Sequence, residues 1–242
     1  MNIDEVSEVT CTENNSIAIS FGNSLCGDIA DCIQEYAEIG LDAITEDGML
    51  KDIPIVSTAV ALYKIGNTIR DRHNLKKLIA FLNGINIGIC DENERLNYIN
   101  EFCSNAKQRN QELEYILVLI DRYISYDKPQ MLSKLYLAYL RRLINWPQFT
   151  MYAEIVDRFL PGDCINFLSD NEEILTYNNI GNEVFLRLVA LGLMVEKSSN
   201  SLFVNDGRGG FAITAESMNK FHQEEKVYIR TDFGKTLREI LC

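Results

Sequence analysis

Residues 53–82 read IPIVSTAVALYKIGNTIRDRHNLKKLIAFL, an uncharged run from Ile53 to Tyr63 that feeds directly into a basic stripe. A helix that crosses a membrane needs about twenty consecutive apolar residues. This run offers eleven before Lys64, so it does not span. Three readings stay open. The stretch is a buried helix with a charged shoulder, an interfacial helix on anionic lipid, or a contact for nucleic acid or an acidic protein. The apolar residues Ile55, Val56, Ala59, Val60, Leu62 and Tyr63 wrap most of the way round a helix. That suits a buried element better than a surface one.

The rest of the chain sets the stripe in relief. The 242 residues carry a net charge of −12. Residues 1–52 hold twelve acids against Lys51, whereas 53–90 hold Lys64, Arg70, Arg72, Lys76 and Lys77 against Asp71. A polyanion would meet the molecule at this stripe or be repelled, which disfavours nucleic acid. The acidic segment upstream is an internal candidate to cover it.

Composition points to an ordinary globular chain, 47% hydrophobic and 24% charged, with four prolines. Residues 1–16 carry acids where an export signal needs a basic start and an apolar core, so a cytoplasmic protein is expected, with a peripheral membrane position as the alternative. The seven cysteines include no CxxC pair and read as small hydrophobes or bystander thiols. With only His73 and His222 available, a histidine-rich zinc site is excluded, and no metal or cofactor is expected.

Working outward, SIAISF (16–21) reads as a short strand, and helical spacing starts at Ser24. Pro54 suits the first turn of a helix over 54–70. In NLKKLIAFLNG (74–84), Asn74 reads as a cap and Gly84 as a stop, with INIGIC (85–90) as a linker. DENE (91–94) offers Asp91 as N-cap with Glu94 three residues on. ELEYILVLIDRYI (112–124), KPQMLSKLYLAYLRRLI (128–144) and NWPQFTMYAEIVDRFL (145–160) follow, the last with Asn145 as cap. LIDRYI (119–124) and IVDRFL (155–160) match in character, and two similar core helices explain this better than a duplicated repeat. The aromatics between Tyr115 and Phe159 sit at core spacing.

PGD (161–163) reads as a boundary, because the composition then changes. Residues 178–192 form a helix that ends at Gly192. LMVEK, SLFVN, FAIT and KVYIR are strand-like, and AESMNKFH (215–222) reads as a short helix. TDFGKTLREIL (231–241) is a terminal helix capped by Thr231. The expected architecture is mainly α, with an acidic segment (1–23), a multi-helix body (24–160) and a small α+β tail (165–242).

Leu186, Val189, Gly192 and Leu193, followed by Thr231, Gly234 and Leu237, carry a resemblance of residues 175–242 to a winged-helix domain. A helical body with such a tail also resembles uncharacterised bacterial proteins of mobile elements, including abortive-infection defence. That resemblance implies a phage-defence or mobile-element setting and brings no catalytic residue with it.

The glycines of NDGRGGF (205–211) lack the spacing of a phosphate loop and suit a hairpin tip; in a winged helix, Arg208 would stand at the wing. His73 lacks a neighbouring nucleophile motif. No catalytic constellation emerges, and the expected function is a non-enzymatic protein-binding or regulatory module. Its contact residues are expected to be Lys64, Arg70, Arg72, His73, Lys76 and Lys77, with Arg208 next. The rival classes are a membrane-acting effector that uses 53–82 and a DNA-binding regulator. Self-association is an equal alternative to a foreign protein partner.

Overall fold

The computed structural model describes residues 16–25, 33, 53–63, 69–169, 174–176, 182–198, 204–205, 211–212 and 226–242. By its internal contacts the chain divides into two compact units, Met1–Asp157 and Arg158–Cys242. Lys64 and Arg208, the candidate helix over 215–222, most of the candidate helix from Ser24 to Gly48, and most of the acidic N-terminal segment lie outside the described residues.

The first unit is helical throughout its described part. It comprises α1 (Ile17–Asn23), α2 (Pro54–Tyr63), α3 (Ile69–Gly88), α4 (Glu92–Ser104), α5 (Ala106–Arg122), α6 (Asp127–Leu140) and α7 (Trp146–Arg158). Residues 16–21 are thus helical and not a strand. The Ser16 hydroxyl accepts from the Ile19 N–H, and the Asn110 side-chain oxygen accepts from the Ala18 N–H at 2.7 Å. Residues 17–21 are all buried, so no one-sided pattern marks the helical period.

Other boundaries move for tertiary reasons. Asn74 lies inside α3, and its amide reaches α5. Gly84 and Gly88 lie inside α3 as well, where an added Cβ would overlap Ser133 and Leu137 of α6. Gly84, which read as a stop, and Gly88, within the stretch that read as a linker, are points of close helix packing. INIGIC is therefore mostly the last turn of α3. The core is aromatic at its centre: the rings of Phe21, Phe81, Phe102 and Phe149 gather around Tyr136 within 6.4 Å. Ile53, Ile55 and Val56 are each 1% exposed, so the described start of the uncharged run is core. Cys90, Cys164 and Cys242 are free, whereas Cys103 is disulfide-bonded, which corrects its reading as a bystander thiol.

The second unit begins at Arg158, three residues before PGD, and PGD itself starts α8 (Pro161–Ser169). Then come β1 (Ile174–Thr176), α9 (Asn182–Ala190), β2 (Met194–Ser198), β3 (Val204–Asn205), β4 (Phe211–Ala212), β5 (Lys226–Arg230) and α10 (Asp232–Leu241). The sheet is antiparallel in the order β1-β5-β2, with Ile174 opposite Ile229 and Val195 opposite Ile229 on the other side; β3 and β4 form a separate pair. Phe185 stacks on Tyr228 at 4.3 Å in the core.

Thr231 and Gly234 act together. The Thr231 hydroxyl donates to the Gly192 carbonyl at 2.7 Å and accepts from the Gly234 N–H at 3.0 Å. Any Cβ at Gly234 would run into the Leu193 backbone, so glycine lets α10 close on the turn after α9.

Candidate functional site

The described part of the basic stripe, Arg70 to Lys77, falls within the first three turns of α3, and Arg70, His73, Asn74 and Lys77 share one face at helical spacing. That face meets the end of α5. The Arg70 guanidinium donates to Asp121 at 2.7 Å, and the Asn74 amide donates to its other oxygen. Lys77 donates from Nζ to the carbonyls of Asp121 (3.0 Å) and Tyr123 (2.7 Å), satisfying acceptors that the helix end leaves open. Lys77 is 1% exposed. Its burial pushes the ammonium below the usual lysine range, while Asp121 acts against that push.

His73 bridges the residues that follow α5. Its Nε2 lies 3.0 Å from the Ile124 carbonyl, which can only accept, so Nε2 carries the proton in the neutral ring. Nδ1 then accepts from the Tyr126 hydroxyl at 2.8 Å. Among the described residues, Asp121 is thus the acid that pairs with Arg70 of the stripe, while most of the acidic segment before residue 53 lies outside them.

Of the expected contact residues, Arg70 is exposed but paired, Lys76 and Lys77 are engaged, and His73 is held by two bonds. Arg72 is exposed, with no side-chain partner among the described residues. The braced corner presents Ile124, 86% exposed, with Tyr126 beside it.

The same seam carries the LIDRYI/IVDRFL likeness. Arg122 of the first motif pairs with Asp157 of the second and reaches Glu154. The similar steps therefore stitch α5 to α7.

Two further clusters were not read from the sequence. Glu112 is 5% exposed and accepts from Arg109, Gln108 (3.0 Å), Tyr139 (2.7 Å) and Tyr136 (3.4 Å). Arg109 also pairs with Glu101 and lies over the rings of Phe102 and Tyr139. Burial, then the Glu112 charge, drives the Tyr136 hydroxyl well above its ordinary range. The available signal was an acid at the head of the stripe Glu112, Ile116, Leu119, since a buried charge requires a partner.

The second cluster is the α6–α7 turn. The Arg142 N–H bonds to the Tyr139 carbonyl and the Leu143 N–H to the Ala138 carbonyl, both at 2.9 Å. This is a Schellman end, whose left-handed position glycine usually fills. Here Arg142 fills it, at φ 61°. Asn145 and Gln148 then cap α7 reciprocally, each backbone N–H donating to the other's side-chain oxygen at 2.9 Å.

A shallow pocket of about 460 Å³ opens here, walled by Tyr139, Leu143 and Trp146 and edged by Arg142. Trp146 stacks on Phe149 at 4.9 Å and meets Tyr115 and Tyr139 edge-on. Arg141 is consumed by Glu94 and the Gly88 carbonyl, while the exposed Arg142 has no side-chain partner among the described residues. The missing glycine between Leu140 and Asn145 was the sequence signal.

Among the described residues, no three His, Cys, Asp or Glu side chains converge as metal ligands, and no helix is long and apolar enough to cross a membrane. Compared with protein-family models, curated proteins and solved structures, the chain matches none.

Proposed function

We propose that the chain is a non-enzymatic protein-binding module whose contact surface is the corner at the end of α5. The observation that carries this reading is Ile124, 86% exposed on a backbone that His73 and Lys77 hold in place. A partner that covers Ile124 removes apolar surface from water on a backbone that is already ordered, so little main-chain freedom is lost on binding. Tyr126 follows two residues on, and the exposed Arg72 precedes His73 on α3; both are residue types favoured in interfaces. The stripe therefore builds the surface more than it forms it.

Burial of Ile53, Ile55 and Val56 favours this reading over a membrane-acting effector. In the second unit, a three-stranded sheet with its last strand central, a helix leading into β2 and the short β3–β4 pair support a winged-helix-like tail. Its α9 exposes Glu183, Leu186 and Ala190, and Arg187 is committed to the buried Asp163 at 2.6 and 2.7 Å. An acid beside apolar residues suits protein better than a phosphate backbone. A bacterial phage-defence or mobile-element setting rests on the family resemblance alone.

Affinity capture with wild-type protein and with the Ile124→Asp/Arg72→Glu variant tests the proposal. A protein enriched at least tenfold on wild type and lost from the folded variant is expected. Identical recoveries from both would overturn it.

A further inference from the structure

We propose that the α6–α7 turn is a second, separate contact site, which takes one carboxylate side chain and an adjoining apolar residue from an acidic segment of a partner polypeptide. Arg142 is exposed and has no side-chain partner among the described residues, and it holds a left-handed conformation that glycine normally takes at such a helix end. The adjacent Arg141 is bound to Glu94, so the free guanidinium is specific to position 142.

Charge complementarity identifies the occupant. The pocket lining of Tyr139, Arg142, Leu143, Ile144, Asn145, Trp146 and Gln148 contains no acid, in a chain of net charge −12. One guanidinium fork matches one carboxylate. The amides at the start of α7 would attract a more highly charged anion, but Asn145 and Gln148 already close that end. Beside the guanidinium, Leu143 is 71% exposed and Trp146 is half-buried, which gives an apolar side chain a surface to cover. The pocket is too open to enclose a free small molecule, whereas a polypeptide extends its contacts past both rims.

Trp146 is the single tryptophan of the chain, so its fluorescence reports this pocket directly. The probes are acetylated, amidated hexapeptides Gly-Gly-X-Glu-Gly-Gly, with X as Leu, Ile or Phe, beside twins with Gln for Glu. Sodium acetate and inorganic phosphate serve as free-ion arms. At least one Glu peptide is expected to change Trp146 emission saturably, with its Gln twin at least tenfold weaker and acetate weaker still. Arg142→Gly and Arg142→Lys should each weaken that peptide at least tenfold while far-UV circular dichroism stays unchanged. The proposal is overturned if no peptide moves the emission, if the Gln twins bind equally, if Arg142→Gly binds as wild type, or if phosphate binds more tightly than every peptide.

Discussion

The Asp121 corner and the α6–α7 turn both place basic side chains at a helix end, yet they use their charge oppositely. At the corner, Arg70 and Lys77 are bound within the chain, and the product is an ordered backbone that carries an exposed isoleucine. At the turn, Arg142 has no side-chain partner among the described residues, and its backbone conformation is unfavourable. Charge density in the sequence therefore does not locate the free charge. The strongest basic cluster is largely structural, and an available cation stands in a stretch that draws no notice.

Substitutions at the two sites separate internal from available charge, the largest effect first. Glu112→Ala calibrates a fully internal charge network. It leaves Arg109 with only Glu101 and should cost about 3 kcal/mol in urea unfolding. Lys77→Ala strips two carbonyls of their donor and should cost about 2 kcal/mol, the mark of a brace and not a surface charge. A cost near zero would return Lys77 to the surface.

Arg142→Gly should have the opposite sign. Relief of the left-handed strain is expected to raise stability by about 1 kcal/mol, read as a higher urea midpoint at unchanged slope. The neighbouring pair gives a pH test. The Arg141 hydrogen bond holds the Glu94 carboxyl below its ordinary value. The stability this supplies is complete above the ordinary glutamate range and is lost as pH falls through the lowered folded value, where the unfolded chain binds the proton first. Glu94→Gln should flatten that acid limb of the Tm profile. Smallest of all, Arg70→Gln removes an exposed ion pair and should change stability by less than about 0.5 kcal/mol.

Features that the sequence made legible were settled within a few residues. Asn145 before Pro147 and Gln148 caps α7, and Thr231 with Gly234 starts α10, because both signals close through hydrogen bonds three residues apart. Asn74 and Gly84 misled for the converse reason. Their roles lie 47 and 49 residues along the chain, at Asp121 and Ser133, so a local rule read them as a cap and a stop. SIAISF misled because burial on every side erased its period. The stripe was visible as charge, but its acid sits on another helix, and Ile124 looked like one more core residue of ELEYILVLIDRYI. Nothing local to RRLIN distinguishes Arg142, bound to no partner, from Arg141, which pairs with Glu94 across 47 residues.

The central claim is that the α5 corner, and not the stripe itself, is where a protein partner docks. A photoactivatable phenylalanine analogue at position 124 tests it most directly, with the same group at exposed Val118 as control. The account expects one dominant cross-linked protein from position 124, absent at 118 and abolished by Arg72→Glu. Equal cross-linking from both positions, unaffected by that substitution, would contradict it.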